Sequence, residues 1–361
     1  MTEDSGLEKV LLETCDHYEQ KRLKDFFVRG LQTLGLHIDR SKVLLKPNLL
    51  AGKAPERAVT THPEFIRALT EILLDYGCQI TIGDSPGYEK TKKVLVNCRI
   101  MDIIEYYGLT ISPFNRKLIK VIDGISPYKR FTLGEDPKDY DLVVNLPKLK
   151  THAMMGLTLG VKNTFGFIHS LEKARWHLRA GQDRMLFAST LIDIHTIASP
   201  HLTILDGILG MDGEGPSNGR PRNLGVVAMS RDAFILDDAI ENLVRPDHPL
   251  PITALAREHG LIKDYETVSY GTTPVIEDFR MPGTMATNWS IPQPIKTLLK
   301  NAFVKKPKII SAACKRCAVC VKVCPAGALS TRPDEPPVFD YKKCIRCYCC
   351  QEMCPEGAIR I

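Results

Sequence analysis

The 361-residue sequence contains no apolar run approaching the roughly 18 residues that a membrane-spanning helix needs. Its first residues, MTEDSGLEKVLL, lack the basic and then apolar pattern of a leader. These absences set the expectation of a soluble, cytoplasmic protein with no membrane span. Neither G-x-x-x-x-G-K-[ST] nor G-x-G-x-x-G occurs, so nucleotide binding has no motif behind it. No Cys-His or Ser-His-Asp arrangement is readable, which ranks hydrolysis last among enzymatic functions. Nucleic acid is not expected as a partner, because there is neither an aromatic-rich binding pattern nor a recognition motif. Acidic residues are missing from 279 to 333, where ten Lys or Arg occur, among them Lys296, Lys300, Lys305, Lys306, Lys308, Lys315, Arg316 and Lys322.

Cysteine, by contrast, is plentiful. Cys314, Cys317, Cys320 and Cys324-Pro325 form C-x2-C-x2-C-x3-C-P, and Cys344, Cys347, Cys350 and Cys354-Pro355 repeat it 30 residues later. Both halves continue as Pro-x-Gly-Ala and then Leu329 or Ile359, so the segment is an internal duplication. Soft thiolates suit iron and sulfide, and two-residue gaps let one tight loop present three sulfurs to one cluster. A zinc site would pair its cysteines across a longer insert, and a disulfide framework would want a secreted setting. The run resembles that of bacterial two-cluster ferredoxins. That resemblance implies two [4Fe-4S] clusters with crossed fourth ligands: Cys314, Cys317, Cys320 and Cys354 for one, Cys344, Cys347, Cys350 and Cys324 for the other. Cys349 stands where the first half has Val319; Cys350 preserves the two-residue gap and is therefore the expected ligand. Cys15, Cys78 and Cys98 lie in or beside apolar segments and are expected to be buried small hydrophobes.

The formal net charge of +6 counts every cysteine as neutral. Two oxidised clusters with their thiolates, at about −2 each, would bring the holoprotein to about +2. The basic stretch then has two readings: it offsets the clusters, or it docks an acidic redox partner.

From Lys9 onward, short aliphatic runs alternate with longer amphipathic ones, the signature of an α/β fold with a mainly parallel sheet flanked by helices. The expected organisation is an α/β domain over 1–280, a basic, proline-containing linker over 281–311 and a small ferredoxin-like α+β dicluster domain over 312–361. Strands are expected at Lys9–Thr14, Lys42–Lys46, Gln79–Gly83, Asp141–Asn145, Leu202–Leu205 and Leu224–Ser230. Thr61-His62-Pro63-Glu64 has the form of a capping box, and one helix is expected over about Glu89–Tyr107. Leu146–His152 and the acidic Asp206–Pro216 read as loops that follow strands.

At the carboxyl edge of an open parallel sheet such loops meet. Lys46, Asn48, Lys148, Lys150, His152, Lys162 and Asn163 would supply cations and amide groups there, and Asp84 and Asp206 carboxylates, with Asp212 and Glu214 nearby. That mixture suits an anionic small molecule, or a hard metal bridging carboxylate and substrate.

Lys46-Pro47-Asn48, Gly83-Asp84-Ser85-Pro86-Gly87, Asn145 through His152, Lys162-Asn163-Thr164-Phe165-Gly166 and Asp206-Gly207-Ile208 through Gly215-Pro216 together resemble the family called domain of unknown function 362, over roughly residues 7–245. Members of that family are often joined to a dicluster ferredoxin module, and the resemblance implies no particular reaction. The function expected is electron transfer through two [4Fe-4S] clusters, with an α/β domain that binds an anionic small molecule or a redox partner. The alternatives are a cluster-dependent reductase of an anionic organic substrate, which would make the protein an iron–sulfur oxidoreductase, and a redox-sensing or cofactor-maturation protein.

Overall fold

The computed structural model describes residues 7–285 and 305–361. Aliphatic runs form β1 (Glu8–Thr14), β2 (Lys42–Pro47), β3 (Gln79–Gly83) and β4 (Thr110–Ser112), separated by helices α1 (Gln20–Thr33), α2 (Pro63–Asp75), α3 (Thr91–Asn97) and α4 (Ile100–Tyr107). A separate hairpin, β5 (Leu118–Val121) and β6 (Arg130–Leu133), precedes β7 (Leu142–Leu146), β8 (Lys148–His152) and β9 (Gly156–Thr158). Then come α5 (Gly160–Asn163), α6 (Ser170–Ala180), α7 (Arg184–Ala198), β10 (Leu202–Asp212), β11 (Arg220–Ser230), α8 (Ala233–Val244), α9 (Pro251–Glu258) and β12 (Tyr265–Val268).

The main sheet runs β12-β1-β11-β10-β7-β2-β3-β4, with β8 attached to β10 and β9 to β8. Pairing is parallel except at β1/β11, β10/β11 and β8/β9, so the sheet is mixed but mainly parallel. Helices cover both faces, which explains why the central strands are apolar on both sides. Val43, Leu45, Leu142 and Val144 pack under α1 to α4, whereas Leu44 and Val143 face α7 and α9. The chain runs outward from β2 through β3 to β4, then returns to place β7 on the other side of β2. The order therefore reverses between β2 and β7, and the crevice beyond the carboxyl ends of those two strands is the switch point of the sheet.

Several local expectations change. The helix over Glu89–Tyr107 is two, α3 and α4, broken at Arg99, whose φ is 60°. The break lets Leu95, Cys98, Ile100 and Ile103 all reach the core. Lys148–His152 is not a loop but the wholly buried strand β8. Pro147, which has no N–H, ends the β7 ladder, and its carbonyl accepts the Asp206 N–H at 3.0 Å, passing the chain to β10. Asp206 to Asp212 belongs to β10, and the turns begin only at Gly213. No capping box forms at α2. His62 caps it, accepting from Glu64 N–H at 3.2 Å, while Thr61 Oγ1 donates to Leu146 O at 2.7 Å and accepts from Asn48 N–H at 2.9 Å. Cys15, Cys78 and Cys98 are buried among apolar side chains. No helix among the described residues is long and apolar enough to cross a membrane.

The small domain keeps its duplication in the backbone. Short helices Val319–Lys322 and Cys349–Glu352 each follow a left-handed residue, Ala318 at φ 57° and Tyr348 at 61°. Its strands pair as two hairpin-like ladders: β13 (Lys308–Ile309) with β16 (Ile359–Arg360), and β14 (Leu329–Arg332) with β15 (Glu335–Phe339). Lys308 and Ile309, in the stretch expected as linker, thus belong to this domain's sheet. At the other end of that stretch Thr284 Oγ1 donates to Ala153 O at 2.6 Å, and Met285 is buried. Lys296 and Lys300 lie outside the described residues.

Candidate functional site at the domain junction

Beyond the ends of β2 and β7, lysines enter the interior. Lys46 on β2 and Lys148 on β8 are fully buried. Lys46 Nζ lies 3.0 Å from Asp84 Oδ1, just past β3, and Lys148 Nζ lies 2.7 Å from Asp206 Oδ2 on β10. Burial pushes both ammonium groups below the usual lysine range, against the pull of their carboxylates. Asp84 also accepts from Leu49 and Ser85 N–H, at 2.9 and 2.8 Å. Asp206 accepts from Tyr18 O–H and His62 N–H, both at 2.9 Å, and the Tyr18 ring stacks on His62 at 3.7 Å. Gly166 makes room for the first pair: a Cβ there would stand 2.0 Å from Asp84 Oδ1 and 2.5 Å from Lys46 Nζ. Gly166→Ala is expected to cost about 1–3 kcal/mol in urea unfolding, since overpacking must move a buried ion pair. An unchanged midpoint would mean that the loop simply steps aside.

An amide relay crosses the crevice. Lys150 Nζ donates to Asn48 Oδ1 at 2.8 Å and to Val59 O, Asn48 Nδ2 donates to Asn163 Oδ1 at 2.9 Å, and Asn163 Nδ2 donates to Asn145 Oδ1 at 2.8 Å. Lys150 has only neutral oxygens as hydrogen-bond acceptors. Burial, then the Lys162 cation, push its ammonium well below the usual range.

The third part of the site spans the domains. His152 Nδ1 accepts from Met154 and Met155 N–H at 3.1 and 3.2 Å, which puts its proton on Nε2, the neutral form. Nε2 lies 2.8 Å from Oε1 of Glu352, a residue of the small domain, but neither atom has an aligned hydrogen bond. Burial and Lys162 hold His152 at about 4. Burial opposes the charge on Glu352, yet His152, Lys162 and His177 hold its carboxyl at about 2. Lys162 on α5 makes no salt bridge among the described residues. Lys173 on α6 donates to Ser85 O, and burial pushes its ammonium down to about 8.

In the small domain the cysteines surround two cavities. Cys314, Cys317, Cys320 and Cys354 line one, and Cys324, Cys344, Cys347 and Cys350 line the other. Ala328 N–H donates to Cys324 Sγ and Ala358 N–H to Cys354 Sγ, each at 3.2 Å, again 30 residues apart. Among the described residues no three His, Cys, Asp or Glu side chains converge on a point that would hold a single metal ion. Four thiols around a cavity fit a multi-iron cluster, whose sulfurs stand at separate corners. Cys317 is exposed, whereas Cys347, Tyr348 and Cys349 pack into the core of the large domain with Phe165, Trp176 and Phe187. Asn218 Nδ2 donates to Gln351 O at 2.9 Å, and Gln351 Nε2 to Glu214 O at 2.8 Å, across the same junction.

The structure thus brings Lys46, Asn48, Asp84, Lys150, His152, Lys162 and Asn163 to one region, with Lys148 and Asp206 at its far side. Asp212 faces elsewhere: Arg220 and Arg222 clamp it at 2.7 and 3.3 Å. Lys173, His177 and Glu352 were not singled out in the sequence: the two large-domain residues sit in a helix without a motif, and Glu352 fills a variable position between Cys350 and Cys354.

Matching to family models assigns residues 43–241 to domain of unknown function 362 and residues 306–355 to a 4Fe-4S dicluster domain. A thylakoid-associated protein of Synechocystis sp. (strain ATCC 27184 / PCC 6803 / Kazusa) is 32% identical over 277 residues, 74% of this chain and 85% of that protein. Among solved structures, the lactate racemase apoprotein of Thermoanaerobacterium thermosaccharolyticum aligns with a TM-score of 0.40 at 13% identity, over 63% of this chain and 55% of that one. A structural-genomics protein from Thermotoga maritima gives 0.39 at 13% identity, over 59% and 56%. This chain spans little more than half of either structure.

Proposed function

We propose, from the premise that this chain belongs to the family called domain of unknown function 362 and ends in a 4Fe-4S dicluster domain, that it is an electron-transfer protein holding two [4Fe-4S] clusters. Its α/β domain binds an anionic small molecule beside the inner one. The observation that carries this reading is the pair of cavities, each lined by the four cysteines of one crossed set. When bound, each cluster supplies a one-electron couple. The outer set (Cys314, Cys317, Cys320 and Cys354) lies beside exposed Lys315, Arg316 and Lys322, a surface suited to an acidic redox partner. The inner set (Cys344, Cys347, Cys350 and Cys324) lies against the lysine-lined crevice.

Electron exchange with an acidic one-electron carrier protein should slow about tenfold or more as salt rises from low ionic strength to about 0.15 M, because exposed charges are then screened beyond about 8 Å. Lys315→Glu combined with Lys322→Glu should remove most of that dependence at unchanged iron content. A rate indifferent to both salt and charge reversal would leave these cations with no role beyond balancing the clusters.

A second reading, a reductase of the bound anion, draws on the junction itself, where Cys347 of the inner set and Cys349 pack in one apolar cluster with Val161, the neighbour of Lys162. Two electrons would then pass singly from the carrier through the two centres. Anaerobic assay of a bound molecule identified by mass spectrometry separates the two: a reduced product supports the reductase, an unchanged molecule the carrier.

A further inference from the structure

At the junction the large domain presents more cationic and hydrogen-bonding capacity than the small domain uses. Among the described residues Lys162 has no salt-bridge partner, and Lys173 has none either: it donates to the Ser85 carbonyl and lies 5.9 Å over the Phe165 ring. His177 is buried, and among the described residues its Nδ1 has no hydrogen-bond partner; His152 Nε2 is fully buried and lacks an aligned one there. Glu352 is the one carboxylate that the small domain inserts among them, and its Oε1 too has no aligned hydrogen bond. Lys173 Nζ and the His177 ring lie 5.9 and 5.8 Å from the centre of the same Phe165 ring, His152 Nε2 lies 2.8 Å from Glu352 Oε1, and the charges of Lys162, His152, Lys173 and Glu352 all bear on His177, so the five share one neighbourhood. Asp84, whose charge also bears on Lys173, is already engaged by Lys46 at 3.0 Å and by two N–H groups.

A negatively charged cluster nearby could balance this excess at a distance. Its sulfurs could accept hydrogen bonds only from groups that line the cysteine cavities, and none of Lys162, Lys173, His152 and His177 lines either one. Buried polar groups are almost always satisfied, so unused ones that converge on one place mark where something else binds. Lys162 and Lys173 are only partly buried, which leaves an approach from solvent.

We propose that Lys162, Lys173, His152 and His177 form an anion subsite between the domains, which takes the carboxylate or phosphate group of a small molecule, with Glu352 as the gate residue that the anion displaces from His152. This deepens the anion-binding part of the function proposed above and rests on it. The order of events follows from charge. Two anions cannot share so small a cradle cheaply, so Glu352 moves off His152 as the ligand oxygens arrive.

The test uses anaerobically purified holoprotein titrated with inorganic phosphate and, separately, with acetate, against chloride at matched ionic strength. Thermal stability and calorimetry are the readouts. Saturable binding of one of the two is expected, and which one it is assigns the group. Glu352→Gln should tighten that binding by tenfold or more, since the competing charge is gone, and Lys162→Gln should weaken it by a similar factor. Lys162→Arg should recover part of the loss. Iron content and the visible spectrum, measured on every variant, show whether the clusters are intact; their absence in the parent protein would refute the two-cluster reading without touching the anion result. No saturable binding of either anion beyond the chloride control would overturn the subsite, as would a Glu352→Gln variant that binds no more tightly than the parent.

Discussion

Replacing Cys320 with alanine is expected to cut the iron of anaerobically purified protein from about eight atoms to about four, whereas Cys349→Ala should leave about eight. Cys320 lines the outer cavity with Cys314, Cys317 and Cys354, and the removal of one thiolate corner deprives that cluster of a ligand. Cys349 lines neither cavity: its side chain is buried against the large domain beside Cys347. Crossed ligation sharpens the test. Cys354→Ala should affect the same centre as Cys320→Ala, although Cys354 belongs to the second run of the sequence. Electron paramagnetic resonance of the reduced variants distinguishes the centres. If Cys354→Ala and Cys320→Ala removed different signals, each run would hold its own cluster and the crossed assignment would fail. Loss of iron in the Cys349 variant would shift the ligand register of the second run by one.

The second large effect concerns Lys148 and Asp206. Asp206→Ala should destabilise the protein by about 3–5 kcal/mol, because it leaves a fully buried ammonium without its carboxylate. The same carboxylate also accepts from Tyr18 and His62, so its loss strands those donors as well. Removing the ammonium along with it should recover much of this cost. The pair Lys148→Met with Asp206→Leu is expected to unfold at higher urea than Asp206→Ala alone, since buried ion pairs are often no better than apolar side chains of similar volume. A double variant that is less stable than Asp206→Ala would show that the Lys148 hydrogen bond to Tyr18 Oη, at 3.0 Å, and the packing of its stem outweigh the cost of the stranded charge.

How much of this was legible beforehand depends on the range of each interaction. The strands at Lys42 and Gln79 and the parallel order are local hydrophobic signals, and β2 and β3 form where the pattern puts them. Asn48, Asn163 and Lys150 were readable as polar residues near strand ends, and the fold links them through side-chain amides. What local signals could not carry is the fate of Lys148 to His152. Polar residues alternate there as in a surface loop, and only pairing with β10 and β9 makes them a buried strand. The break at Arg99 likewise has no glycine or proline to announce it. Thr61 had two competing uses, capping α2 or tying β2 to β7, and the sheet won. Lys173 and His177 lacked any periodic or motif signal, and Glu352 stood at a variable position inside the second cysteine run. Their importance exists only once residues 352 and 152, 200 positions apart in sequence, stand 2.8 Å from one another.

The position of β1 has a consequence for how the chain is made. Its Leu11 pairs with Met229 on β11 and with Val268 on β12, so this strand lacks both sheet neighbours until more than two hundred further residues have emerged. At about 5–20 residues per second that wait lasts about 10–40 s. Throughout it, the apolar run from Val10 to Leu12, fully interior in the finished sheet, has no sheet to enter. The segments β2 to β4 with α2 to α4 have short-range partners and can assemble during the delay. The half-built sheet thus trails an unpaired apolar strand, and yield in cells is expected to rise with the supply of holdase chaperones, which expression with and without added chaperone would check.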